Sequence, residues 1–417
     1  MAQLSDDCFA FGGDLLETKD ALSQLDKRLH AVTGTETVPL KGALGRILAS
    51  NIISPMAVPP HDNAAVDGYA LRYRDLSADT DTKLKLTGRI AAGETCSTIV
   101  RAGKAMRVFT GAAMPKGADT VLMQEDCQEE KGTVIIPPGI KKGANFRFSG
   151  EDIAAGARIL EAGIPLRPQE IGLLASIGQT TVPVYKKLRV ALFSTGNEVR
   201  DIGEDLPAGH IYDANRYSIG AALDSLGCLP DDLGILPDSH NAIRERLLEI
   251  SKTHDLIMTS GGVSTGEEDH IRSAIANIGQ IHFWRLAIRP GRPIALGQVG
   301  QVPFVGLPGN PVAVLVTFMI FARPAILKLS GCRKLGPVYY KVRAGFSLRK
   351  KLGRREWLRV SIKTAKDGFP VAYKFPQDGA GILTSLVKSQ GLVELPEGLT
   401  ELVRGAMVEY LPFNEVG

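Results

Sequence analysis

The chain is predicted to be a multidomain α/β plus β protein. Three observations predict it. Strand-like and helix-like segments alternate from residue 187 to 330, the pattern of a parallel sheet with helices on both faces. Residues 54–149 and 331–417 are instead dense in Gly and Pro with short β-type runs, so each reads as a small β-domain. The length, 417 residues, exceeds one ordinary core and calls for several domains.

The elements follow in chain order. Residues 14–32 place Leu15, Leu22, Leu25 and Leu29 at helical spacing, and residues 38–53 hold a second short element. Ala105 to Thr110, Thr120 to Met123 and Thr133 to Ile136 are the clearest strands of the first β-region. Arg167-Pro168-Gln169-Glu170 opens a helix that Gly178 ends. The α/β region is read as strands at Leu188–Phe193, Leu233–Leu236, Leu256–Thr259, Ile281–Ala287 and Val302–Val305. Its helices are placed at Asn215–Leu226, Ser239–Ser251, Asp269–Asn277 and Pro311–Leu329, with Asn215 and Asn310 as N-caps.

Composition narrows the function class. Hydrophobic content of 44% with 23% charged residues is that of a soluble globular protein. The five cysteines are scattered with no CxxC pair, which argues against a zinc site or disulfide framework and fits a reducing compartment. The first residues lack a signal-peptide plan, and the longest apolar run, Val312 to Ala322, is shorter than the roughly 20 residues of a membrane span. A cytoplasmic enzyme is expected. Net charge is only +4, but residues 341–374 carry eleven Lys and Arg against Glu356 and Asp367. This run lacks the interleaved aromatics of a single-strand nucleic-acid platform. A solvated face or a small-anion surface is the expectation, with no nucleic acid and no membrane.

In an open α/β sheet, ligands bind beyond the carboxyl ends of the strands. Four of the five strand ends here carry binding chemistry. Ser194-Thr195-Gly196-Asn197-Glu198 follows the first strand and Pro237-Asp238 the second. Ser260-Gly261-Gly262-Val263-Ser264, then Asp269, follow the third. Gly306-Leu307-Pro308-Gly309-Asn310-Pro311 follows the last. Glycines let backbone N–H groups approach phosphate, and carboxylates offer hard oxygens to a divalent cation such as Mg²⁺. Glu198, Asp238 and Asp269 are the candidate metal ligands, one of them free to act as a general base. Asp238 and Asp269 also stand where helix N-caps belong. Glu198 has no such alternative, so it is the best single candidate for chemistry. Beside these lie Arg285, Arg289 and Arg292, with strand alternation placing the first two on one face, suited to tetrahedral oxyanions.

These residues resemble the MoeA-type molybdopterin molybdenumtransferases, which include the gephyrin C-terminal region. The resemblance rests on the segment Pro59 to Ala70, on Phe109-Thr110-Gly111-Ala112 and on Gly150-Glu151-Asp152-Ile153. It continues through Ser194 to Glu198, Thr259 to Asp269, Arg289 to Pro293 and Gly306 to Pro311, in family order over nearly the whole chain. It implies four domains: a helical linker from residues 1–52 plus 150–185, a β-domain at 53–149, an α/β domain at 186–330 resembling molybdopterin adenylyltransferase, and a β-barrel-like domain at 331–417. It implies a homodimer whose clefts are shared, with Asp67 and Thr110 reaching the partner's cleft. The implied reaction takes adenylylated molybdopterin and molybdate, hydrolyses the phosphoanhydride with a divalent cation, and releases AMP and molybdenum cofactor. By the same resemblance Glu198, Asp238, Asp269, Asp67 and Thr110 are expected to carry the catalytic roles. Ser194, Thr195, Gly196, Ser260, Gly261, Gly262, Ser264, Pro308 and Pro311 bind substrate. Arg285, Arg289, Arg292, Arg355, Arg359 and Ser385 hold the oxyanion. The first three stand where the family often has lysine, exchanging a point charge for a planar fork. Molybdopterin adenylyltransferase and molybdoenzyme apoproteins are the implied protein partners. An adenylyltransferase, a scaffold and a nucleic-acid binder are the rival readings.

Overall fold

The computed structural model describes residues 16–94, 97–237, 239–262, 270–275, 278–291 and 293–416, with the backbone alone at 270, 272 and 283–285. Its centre is a six-stranded sheet: β1 (Arg189–Thr195), β2 (Leu229–Leu236), β3 (Leu256–Ser260), β4 (Gly279–Arg285), β5 (Pro293–Val299) and β6 (Val302–Leu307), ordered β2-β1-β3-β6-β5-β4. The first four in that order run parallel, while β5 is reversed and pairs antiparallel with β6 on one side and edge strand β4 on the other. The sheet is therefore mixed, not purely parallel. Strand β5 was hidden in the sequence because Pro293 and Gly297 interrupt PIALGQV. Gly297 has its own reason to be there: a Cβ would sit 2.2 Å from the Gln280 carbonyl oxygen on β4.

Alternation along β1 explains the two helical layers. Val190 and Leu192 join Leu256 and Met258 on one face, under α1 (Ala214–Ser225) and the long helix that starts at Pro311. Ala191, Phe193 and Ile257 face α2 (His240–Ile250) and α3 (His270–Ile275) on the other. Each such fully buried aliphatic or aromatic side chain contributes about 1.5–3 kcal/mol. The cap of α1 is Asp213, which accepts from the Arg216 N–H at 3.0 Å; Asn215 lies inside the helix. The cap of α2 is Ser239.

The long helix runs Pro311–Thr317, relaxes into a π-turn over Phe318–Ala322 and resumes over Arg323–Leu329. At 19 residues with mean hydropathy 2.0 it is long and apolar enough to cross a membrane, which the uninterrupted apolar run alone did not reveal. It is 72% buried within the protein, however, as a core helix. The helix Thr18–Arg28 packs on it, with Leu25 and Leu29 in the α/β core and Val32 N–H donating to the Leu329 carbonyl. The resemblance groups that helix with the linker, but its apolar face packs in the α/β layer.

The first β-region forms a six-stranded sheet, with Gly68–Leu71 between Thr120–Met123 and Lys104–Val108. Between it and the α/β domain, Thr35–Pro39 pairs with Thr181–Tyr185 and Ile52–Ile53 with Arg158–Leu160 around a core of Leu48, Leu166, Leu174 and Val184. At the C-terminal end, Arg355–Thr364, Pro370–Lys374, Tyr340–Ala344, Met407–Pro412 and Gly391–Leu395 pair in sequence, and the last returns to the first. That closure makes a small barrel. Ile288–Arg289 adds a parallel strand beside Arg355–Glu356, so the chain leaving β4 pins the barrel to the α/β domain.

Candidate functional site

Strand pairing brings the ends of β1, β2, β3 and β6 to one edge. Thr195 lies opposite Leu236, Ser194 opposite Ser260, and Ser260 opposite Leu307. Glycine lets them close up. At Gly262, with φ of +63°, a Cβ would stand 2.5 Å from Thr195 Oγ1; at Gly261 it would stand 2.9 Å from the Thr195 carbonyl oxygen. The Gly261 N–H donates to the Leu307 carbonyl, and Asn215 Nδ2 donates to the Gly309 carbonyl at 2.7 Å.

The predicted residues divide into two layers here. Ser194, Thr195, Ser260 and Pro308 are buried beneath the edge. Gly196, Gly261, Gly262 and Pro311 are half-exposed, and Glu198 is exposed. The Glu198 carboxylate folds back over Gly196 and has no hydrogen-bond partner among the described residues. Its main chain is held: Ile211 N–H donates to the Glu198 carbonyl at 2.9 Å, and Val199–Arg200 pairs with Ile211–Tyr212.

Asp238, Ser264, Asp269 and Arg292, named from the sequence, lie outside the described residues, as does the Arg285 side chain. Among the described residues no group of three His, Cys, Asp or Glu side chains is placed to hold a metal. Glu198 still fits a divalent cation in kind, as an exposed carboxylate without a competing donor. With Ser239 capping α2, the N-cap explanation for Asp238 falls away.

A second cluster lies where the barrel meets the start of the long helix. Arg359 is buried; its Nε donates to Ser385 Oγ at 3.0 Å and its Nη2 to the Gly379 carbonyl at 3.2 Å. Ser385 is fully buried and donates to the Ile382 carbonyl at 2.6 Å. The Val312 N–H donates to the Ala380 carbonyl, tying the Pro311 helix start to this loop. Burial lowers the Arg359 pKa, and the Arg289 charge nearby adds to the effect. Arg289 is exposed, 3.6 Å from the buried Glu356. It does not share a strand with Arg285, because β4 ends at Arg285 and Arg289 belongs to the barrel's added strand. A cleft of about 530 Å³ opens at Arg289, lined also by Arg349, Lys350, Lys351, Arg354 and Glu356.

Arg355 is a correction. Its guanidinium donates to Glu394 at 2.7 Å and to Glu397 at 2.9 Å, so it braces the barrel and is not open to an anion. Arg354, one residue earlier, lines the cleft with no partner among the described residues, and sequence reasoning passed over it.

Asp67 and Thr110, 43 residues apart, meet in the first β-region. Asp67 Oδ1 accepts from both the Thr110 N–H and its hydroxyl, each at 2.7 Å. The N–H bond, then the hydroxyl bond, hold the Asp67 carboxyl below its usual range against partial desolvation, and Arg107 adds to the lowering. Gly68 is required beside them, because a Cβ would strike the Leu122 carbonyl oxygen at 1.9 Å.

Three family models cover most of the chain. The MoeA N-terminal region (domain I and II) matches residues 16–178, the probable molybdopterin binding domain 191–328, and the MoeA C-terminal region (domain IV) 341–413. The molybdopterin molybdenumtransferase of Haemophilus influenzae is 36% identical over 96% of this chain and 100% of its own. The chain belongs to the MoeA family. A second molybdopterin molybdenumtransferase, from a Nostoc species, is 36% identical over 93% of this chain and 91% of its own. The crystal structure of the molybdopterin biosynthesis MoeA protein of Pyrococcus horikoshii covers 95% of this chain and 99% of its own, with a TM-score of 0.81 at 30% identity. This MoeA-family enzyme thus shares its domain architecture with its relatives, and the candidate residues just described fall in all three matched regions.

Proposed function

We propose that the enzyme acts in molybdenum cofactor biosynthesis, inserting molybdate into adenylylated molybdopterin with hydrolysis of the phosphoanhydride. The observation that carries this reading is the Glu198 carboxylate, exposed and unpaired among the described residues at a glycine-closed strand edge. In this scheme the N–H group of Gly262 faces the phosphates, where glycine allows close approach. Water attacks phosphorus, the bridging P–O bond breaks and AMP departs; two Mo–S bonds then form to the dithiolene sulfurs as one Mo–O bond breaks, the oxo oxygen leaving as water with the two thiol protons. A carboxylate of the Glu198, Asp238 and Asp269 set accepts the proton from water. The same set would hold Mg²⁺ or another divalent ion, which supplies charge neutralisation for the leaving phosphate. Arg289, Arg359 and Ser385 receive the molybdate dianion, with Arg285 and Arg292 as further anion ligands. Charge supports that assignment: the 530 Å³ cleft at Arg289 is lined by five cationic side chains and one carboxylate.

The four-domain division, the homodimer, the placing of Asp67 and Thr110 in the partner's cleft, and exchange with an adenylyltransferase and apoenzymes belong to the same proposal, supported by the family resemblance. A cytoplasmic site of action goes with it, since Cys127, Cys228 and Cys332 are all free thiols. The test is AMP release from adenylylated molybdopterin by Glu198→Gln and by the wild type in excess chelator. Release should fall about 100-fold or more in the variant, with nucleotide affinity kept, and should stop on chelation. Wild-type rates in both arms would refute the assignment.

A further inference from the structure

The loop that presents Glu198 is anchored by one side chain outside the proposed reaction. Between β1 and α1, residues 196–213 leave the sheet and return. Val199–Arg200 against Ile211–Tyr212 closes the neck of this loop, with the Asp213 N–H donating to the Arg200 carbonyl at 3.0 Å. Arg216, in the first turn of α1, is only 3% exposed. Its guanidinium meets three carboxylates from three segments: it hydrogen-bonds the cap Asp213 at 3.0 Å and Asp232 of edge strand β2, and pairs by charge with Asp201 of the loop at 2.7 Å without a hydrogen bond. Tyr217 completes the tie, lying 4.9 Å from the guanidinium and donating its hydroxyl to Asp201 at 2.8 Å.

One carboxylate would neutralise a buried arginine. Three, drawn from the loop, the helix and the sheet edge, fix those parts relative to one another, which a planar five-donor fork does and a lysine ammonium cannot. Glu198 has no side-chain partner of its own among the described residues, so its position is inherited from the backbone of this loop. We propose that Arg216 is a positioning residue for the phosphoanhydride cleavage, holding the loop so that Glu198 stands at the strand edge. This inference rests on the role given to Glu198 above.

The test uses the full chain with Arg216→Met, Arg216→Lys and Asp201→Asn. Asp201 is the half-exposed loop-side partner, so its variant keeps the buried pair Arg216–Asp213 and remains folded. Three readouts are taken: AMP affinity by titration, single-turnover AMP release from adenylylated molybdopterin, and amide hydrogen exchange across 197–212. In Arg216→Met, release should slow about 100-fold, the scale of a 1 Å misplacement, while AMP affinity stays within about twofold. Exchange across 197–212 should quicken. Lysine should recover only part of the rate, Asp201→Asn should lose part of it, and Arg216→Met combined with Asp201→Asn should be no slower than Arg216→Met alone. A folded Arg216→Met with an unchanged rate overturns the proposal, as does a parallel fall of rate, affinity and melting temperature. Glu198→Gln in the same assay separates the two ideas. If it is slow while Arg216→Met is not, the tie alone fails; if it runs at the wild-type rate, the reading of Glu198 fails.

Discussion

Asp67 shows what a pair of contacts does to one carboxyl. Its pKa is lowered, with the Thr110 N–H as the largest cause and the hydroxyl second. A depressed carboxyl contributes stability above its unfolded pKa, near 3.9, and loses it as pH falls through the lower folded value. The Asp67–Thr110 tie therefore persists through the whole neutral range and fails only in acid. Thr110→Ala removes the hydroxyl and keeps the N–H. Carboxyl titration of that variant by NMR should find Asp67 still below the ordinary aspartate value, by less than in the wild type. A full return to that value would show that the hydroxyl dominates. Residue identities were legible in the sequence, but such pairings were not. The meeting of Asp67 with Thr110 and of Arg359 with Ser385 crosses strands that spacing alone does not align. Arg355 reads as an anion ligand in the sequence and is claimed in the fold by Glu394 and Glu397.

At the scale of elements, the edge works because glycine lets main chains touch. Gly262→Ala would force a left-handed φ on alanine and press its Cβ against Thr195 Oγ1 and Ile271 Cδ1 at 2.5 and 2.6 Å. The strain should cost about 1–3 kcal/mol, seen as a lower melting temperature, and should weaken nucleotide binding as the β3 end moves off β1. Gly300→Ala, which meets nothing within 4 Å on the β5–β6 turn, is the control: it shares the positive φ without the collision, so it should lose less stability and no affinity. Equal effects on binding would argue that the strand edge is not the nucleotide site. Most strands and helices of the α/β region were readable because apolar runs and caps announce them. Strand β5 was not, since its pairing with β4 tolerates Pro and Gly that the pattern treats as breaks. The start of β2 was hidden for a related reason: Pro230, Asp231 and Asp232 sit on an edge strand, where one side of the backbone faces solvent.

For the whole molecule, the basic run 341–374 shows why charge along a chain differs from charge on a surface. Lys341 pairs with Glu409, Arg343 with Asp367, Arg349 with Glu401 and Lys374 with Asp378, and barrel closure supplies Glu401 and Glu409 from strands that follow the run. What stays concentrated is the cleft at Arg289, where Lys350, Lys351 and Arg354 gather around a volume in the range of small-molecule sites. The remaining question is where Asp67 and Thr110 act, because they lie on the first β-region and Glu198 lies on the α/β domain. The homodimer proposed above would join them in a shared cleft. Heterodimers then settle the matter, since each inactive parent keeps a different half of the site. Mixing Glu198→Gln with Asp67→Asn, dissociating and reassociating, leaves half the molecules mixed at random pairing if the subunits exchange freely. Each mixed dimer holds one cleft with both residues intact and one with neither. Activity should therefore rise to about a quarter of the wild-type value per subunit, given independent clefts. If Asp67 served its own subunit, every cleft in the mixture would lack one group, and AMP release would stay at the level of the parents.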